Sequence, residues 1–259
     1  MGLGTVVGTY DVLCIVALLP KAFVQALLPS NVSGITPSPF WSSSAIEAAI
    51  GVEIPEDKHI VMFELGRQIN TGAWALPKFT FQEAKFEILF LNHPAMESMS
   101  STTPFMLKHT IVFDSTIMKL SSHFSPPTSP VIYDGASEDV QYNIQDVLRA
   151  SLRYAPPGDL DSGPWSKTAV KRMMEQPWFS VNPGANVSKF ILDFEERHKE
   201  MTPLEGTLAF RPSFFKLGND AEARTSPTPI GTGMRANGYH AKLSFVLEGP
   251  HPAASYRRG

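Results

Sequence analysis

One cysteine, Cys14, is all that a chain of 259 residues contains. That excludes an intrachain disulfide framework and any metal centre built on several thiolates. Cys14 lies in the apolar run 12–19, which points to a buried structural thiol rather than a nucleophile. Charge is scarce as well. Asp, Glu, Lys and Arg make up 18% of the residues and leave a net charge of −3, so neither nucleic acid nor an anionic membrane surface is an expected partner. Long apolar runs are missing. The run 12–19 follows no lysine or arginine, is entered through Asp11 and is too short to cross a bilayer. It reads as a buried strand and the protein as cytoplasmic, since the sequons at Asn31 and Asn186 are common by chance.

The usual signatures of catalysis are missing too. There is no G-x-S-x-G elbow, no H-E-x-x-H pair, no Walker-type loop and no dinucleotide glycine fingerprint. Gly231, Gly233 and Gly238 have the wrong spacing and read as a loop. The seven histidines, at 59, 93, 109, 123, 198, 240 and 251, show no metal-ligand spacing. Neither a metal nor an organic cofactor is expected.

What the chain does have is apolar mass. Hydrophobic residues make up 43%, with 17 Phe and 10 Met, enough for a sizeable core and for lining a pocket with adaptable side chains. The expected ligand is small, hydrophobic and mostly uncharged. The 22 prolines are scattered, which favours short strands joined by loops. Strands are expected at 12–19, 60–65, 81–91, 107–113, 131–133, 140–154, 190–194, 207–210 and 239–247. In the last of these Tyr239, Ala241, Leu243, Phe245 and Leu247 share a face. Helices are expected at 21–28, at 42–51 between serine caps and an exit glycine, and at 166–175. Many strands and few helices predict a mainly β (α+β) chain, a barrel or packed sheets with peripheral helices, and no linker divides residues 1–259 into more than one domain.

The segment 55–90 is the most informative. It plants Glu64 in a strand that is apolar on both faces, beside Ile60 and Met62 and opposite Val61, Phe63 and Leu65. A buried carboxylate is expensive unless paired or kept for chemistry. Two readings stand open: a structural acid paired with a nearby Arg or His, Arg67 for example, or a pocket acid/base with its pKa raised by desolvation. Glu83 shares its strand face with Phe81, Lys85 and Glu87. That face is either a solvated Glu-Lys-Glu row or the wall of a cavity. Lys108 and Lys119 flank the strand around Phe113 and are surface lysines or Schiff-base amines. His109 and His123 could carry protons or be bystanders.

Several of these segments together resemble the acetoacetate decarboxylase-like superfamily. KAFVQALLP at 21–29 is similar to its early helix and LLP turn. HIVMFELG at 59–66 is similar to the strand bearing one functional glutamate, at Glu64. FTFQEAKFEILF at 79–90 is similar to the strand bearing the second, at Glu83, and TIVFD at 110–114 to the strand that follows. The resemblance implies a cone-like antiparallel β-barrel with outer helices and a hydrophobic cavity, and it allows a homo-oligomer. The family's Schiff-base lysine segment corresponds here to SSHFSPPTSP at 121–130, which has no lysine. The family's substrate-binding arginine is lost as well, and Tyr10 stands near its place. Without the amine there is no imine, and without the arginine no anchor for a carboxylate substrate.

The resulting expectation is a small-molecule enzyme of specialised metabolism. It would isomerise, dehydrate or cyclise a polyketide- or terpenoid-like intermediate without a Schiff base, in part by restricting its conformation. Glu64 is the expected general acid/base, Glu83 its partner with one of the two protonated, and His123 a third member. Met62, Phe81, Tyr10, Phe113 and Met118 are the expected lining. The alternatives are a decarboxylase or aldolase-type lyase with a lysine moved to Lys108 or Lys119, and a non-catalytic carrier.

Overall fold

The residues VVGTYDVLCIVALLP are largely β-branched and aliphatic, and they form one long strand, β1 (Val6–Pro20). The computed structural model describes residues 5–73, 77–96, 102–114, 131–134, 139–144, 148–155, 165–181, 184, 186–195, 201–210, 214–215 and 233–256. Pro20 stops the strand and opens helix α1 (Lys21–Leu27). That helix ends one residue before the expected boundary because Leu28 precedes Pro29 and is held extended, with ψ 135°. After the short α2 (Ser30–Ser33) comes α3 (Ser43–Ile50), and its ends are the expected ones. The Ser42 hydroxyl accepts from the Ala45 N–H, and Gly51 turns the chain out at φ 73°.

The strands that follow are β2 (Lys58–Ala73), β3 (Phe79–Leu91), β4 (Phe105–Phe113), β5 (Val131–Asp134), β6 (Asp139–Ile144) and β7 (Leu148–Tyr154). Residues 140–154, read from sequence as one strand, are therefore two, paired antiparallel. Helix α4 (Lys167–Met174), capped by Ser166, leads to β8 (Trp178–Ser180), β9 (Asn186–Asp193), β10 (Thr202–Phe210) and β11 (Met234–Pro252).

Strands β1, β2, β3, β4, β8, β9 and β11 close into a seven-stranded barrel, because β11 pairs back onto β1. The remaining strands extend from the first half of β11 in the order β10, β7, β6, β5. One joint of the barrel departs from the antiparallel expectation. Met106–Lys108 of β4 runs parallel to Trp178–Ser180 of β8, since the chain between them is long enough to return in the same direction. The barrel is drawn tight around β1: a side chain at Gly66 would collide with the Asp11 carbonyl, and one at Gly238 with that of Cys14.

This topology buries both faces of β1–β4. Leu13, Phe63, Phe86 and Leu107 point outward and meet Tyr142, Ala150 and Leu208 of the extension in one apolar core. Tyr10, Cys14, Met62 and Met106 point inward, with Phe190, Tyr239 and the buried sides of α3 and α4. The β11 alternation holds as expected, with Tyr239, Ala241, Leu243 and Phe245 all inward. Cys14 is fully buried, its Sγ 3.4 Å from the Met174 sulfur.

Candidate active site

Among the described residues, the mostly apolar inner wall of the barrel carries an ionic cluster. Cross-strand register builds it: Glu64 of β2 lies opposite Lys85 of β3, and Glu87 of β3 opposite Lys108 of β4. Opposite charges thus face each other at adjacent strand positions, where side chains meet. Residues 83, 85 and 87 alternate onto the inner face. The Glu-Lys-Glu row is therefore a buried wall, which corrects the solvated alternative: Glu83, Lys85 and Glu87 are at most 2% exposed. The reason is closure. A polar face on a single sheet would be wet, but in a barrel as small as this one the inner face is filled by side chains.

Lys85 is the centre of the cluster. Its Nζ donates to Glu83 Oε1 at 2.6 Å, to the Tyr10 hydroxyl at 2.9 Å and to Glu64 Oε2 at 3.1 Å. The Tyr10 hydroxyl in turn donates to Glu64 Oε2 at 3.0 Å, and Gln68 donates to Glu83 at 2.8 Å. Lys108 donates to Glu87 Oε1 at 2.7 Å. The rings of the wall complete the setting: Lys85 lies over Tyr10 and Phe190, and Lys108 over Trp178 and Phe190.

These contacts set the protonation states. Burial by itself would raise the Glu64 pKa, but the Lys85 and Lys108 charges and the bonds from Lys85 and Tyr10 outweigh it and hold the carboxyl below its usual value. Lys85 runs the other way. Burial would lower it, and Glu83, Glu64 and Glu87 together push it above its usual value, so it stays an ammonium. Glu87 is pushed up to about 7, first by burial and then by the Glu64 charge, with Lys108 and Lys85 only partly opposing. Burial and Glu64 keep Tyr10 a neutral phenol. An ammonium between Glu64 and Glu83 removes the repulsion that was expected to hold a proton on one of them.

The expected partner of Glu64, Arg67, is elsewhere: it pairs with Asp11, which also meets His240 at 2.7 Å. His109 is not in the cluster either. It packs on Phe86 and Phe215 in the outer core, where burial drops its pKa to about 4. Lys108 is buried rather than at the surface. Among the expected lining residues, Met62 shares the inner apolar cluster and Tyr10 bonds Glu64 directly. Phe81 and Phe113 pack edge to face at 5.5 Å with Ile111 in a small separate cluster. His123, Met118 and Lys119 lie outside the described residues.

Lys85 and Glu87 were missed as functional candidates, although a signal for them exists. From Ile88 to Leu91 β3 is apolar on both faces, which is incompatible with a wet side just beyond Glu87. A cleft of about 680 Å³ lies at one end of the barrel, lined in part by Trp41, Ile50, Phe90, Arg172, Gln176 and Lys189. Ile50 and Phe90 also belong to the inner apolar cluster. Phe90 holds a left-handed backbone at φ 52°, a strained state for a bulky residue, with its N–H donated to the Gln176 side chain.

Among known proteins, no family model and no curated protein matches the chain. Solved structures do. An acetoacetate decarboxylase from Legionella pneumophila superposes with a TM-score of 0.52 at 11% identity, covering 97% of this chain and 91% of that one. The enduracididine biosynthesis enzyme MppR, complexed with the condensation product of pyruvate and imidazole 4-carboxaldehyde, gives 0.47 at 11% over 99% and 92%. An acetoacetate decarboxylase-like enzyme from Sphingomonas wittichii RW1 gives 0.40 at 11% over 95% and 90%. The chain has the acetoacetate decarboxylase-like fold.

Proposed function

We propose that this protein is a small-molecule enzyme of specialised metabolism that isomerises, dehydrates or cyclises a hydrophobic polyketide- or terpenoid-like intermediate by acid–base chemistry, without a Schiff base. The observation that carries this reading is the Lys85 ammonium held by Glu83, Tyr10 and Glu64 inside an apolar barrel. An amine so held has no free lone pair to attack a carbonyl. The same ammonium keeps Glu64 ionised, and Tyr10 remains neutral 3.0 Å away. A carboxylate and a phenol at that distance can remove a proton at one substrate atom and deliver one at another, each worth about 10²–10⁴ in rate.

The test joins trapping with turnover. Incubation with acetoacetate or pyruvate and borohydride, followed by mass spectrometry, should give no adduct. A covalent adduct on Lys85 or Lys108 would establish the lyase reading instead. Purified protein is also offered a panel of polyketide and terpenoid intermediates, with products read by mass. Glu64→Gln should then abolish conversion while binding persists. Conversion that is unchanged in that variant removes Glu64 from the chemistry, and binding without conversion in the wild type makes the protein a carrier.

A further inference from the structure

We infer that the barrel selects an uncharged ligand carrying a hydroxyl or enol, and that this group donates its hydrogen bond to Oε2 of Glu87. The inference rests on the acid–base reading above and names the substrate class for that site.

Two observations carry it. The first is what the cluster leaves unpaired. Lys85 spends its three N–H bonds on Glu83, Tyr10 and Glu64. Tyr10 both accepts and donates, and Glu83 accepts from Lys85 and Gln68. Glu87 gives Oε1 to Lys108, but its Oε2 is fully buried and has no partner. A buried acceptor without a donor costs about 1–3 kcal/mol. A ligand hydroxyl at that oxygen would recover it.

The second is charge. Three carboxyl groups, Glu64, Glu83 and Glu87, face two ammoniums, Lys85 and Lys108, and each ammonium is paired with at least one of them. Arg67 faces Asp11 on the opposite side of the wall. Among the described residues no interior ammonium stands without a carboxyl partner, and an anionic ligand would add repulsion to those carboxyls where water does not screen it. A neutral apolar molecule meets no such penalty. The groups around Glu87 agree: Glu64 from β2, Tyr10 and Cys14 from β1, Lys85 on its own strand and Lys108 from β4.

Three probes of one shape test this: geraniol, its methyl ether, and geranate, titrated calorimetrically near neutral pH. Geraniol should bind about 10- to 100-fold more tightly than the ether, the value of one satisfied buried acceptor, and more tightly than geranate by at least as much. Glu87→Leu strands Lys108 and could prevent folding, so the informative variant is Glu87→Leu with Lys108→Met, which removes the pair together. In it, alcohol and ether should bind within about twofold of each other, set by shape alone. Equal binding of alcohol and ether to the wild type, geranate binding as well as geraniol, or discrimination that survives in the double variant each overturns the assignment. None of these outcomes touches the acid–base reading, which falls instead if Glu64→Gln turns over normally. Failure of all three probes to bind would overturn the assignment of an apolar hydroxyl ligand outright.

Discussion

The two faces of β1–β4 solve the same problem in opposite ways. Outward, Leu13, Phe63, Phe86 and Leu107 close a core with the extension strands that is held by shape and apolar area. Inward, a few ångströms away across the same backbone, Glu64, Lys85, Glu87 and Lys108 are closed off from water just as completely. The outer face gains from burying each group. The inner face gains little from its ions as a set, because desolvation offsets most of their attraction.

The sharpest way to break the comparison is Lys85→Met. It leaves Glu64 and Glu83 buried without their ammonium, and we expect a loss of about 3–5 kcal/mol in urea unfolding near neutral pH. Without the ammonium, burial would raise the Glu64 carboxyl above its value in the unfolded chain. The deficit should therefore shrink as the pH is lowered and that carboxyl takes up a proton. A deficit that is constant with pH would mean the ammonium acts only by packing.

Phe63→Ala, directly across the strand, should cost a similar amount, about 3–5 kcal/mol, by opening a cavity. Its loss should not vary with pH. A pH-dependent loss there would mean that the two faces are not independent.

A smaller effect sets one titrating group on each face against the other. His109, on the outer side, is lowered from 6.5 to about 4. The unfolded chain binds its proton more readily, so His109 subtracts stability as pH falls through that window. Glu87, on the inner side, is raised from 4.5 to about 7. Here the folded state holds the proton, and stability falls as pH rises between those values. Each effect is at most about 3 kcal/mol, and over the shared range they oppose each other. Unfolding midpoints taken across that range should show Glu87→Gln steepening the acid loss and His109→Phe flattening it. The same slope in both variants would refute the opposition.

The smallest change touches the helix that closes the inner side. Ser166 Oγ accepts from the Ala169 N–H at 3.1 Å, and Ser166→Ala should cost about 1 kcal/mol. A calorimetric Tm lowered by a few degrees, with the ionic network intact, is the expected outcome. An unchanged Tm would show that packing of Met173 and Met174, rather than the cap, fixes α4.

Local chemistry determined a good deal of this protein in advance. Serine caps and an exit glycine placed α3 nearly to the residue, because capping is settled within one turn. Period-two alternation placed Tyr239, Ala241 and Leu243 on one face of β11, and both-sided apolarity marked Glu64 as buried. Each of these depends only on neighbours along the chain. Which side of β3 is wet does not. Lys85 and Glu87 look like solvent-facing residues until β11 returns to β1 and closes the barrel over them. Glu64 meets Lys85 rather than Arg67 because register across two strands, set by the whole hairpin, decides which charges touch. The identity of the buried acid was written in the sequence, and its partner, its protonation state and the unpaired oxygen of Glu87 came only with closure. Burial and cross-strand distance belong to the folded sheet and not to any single strand.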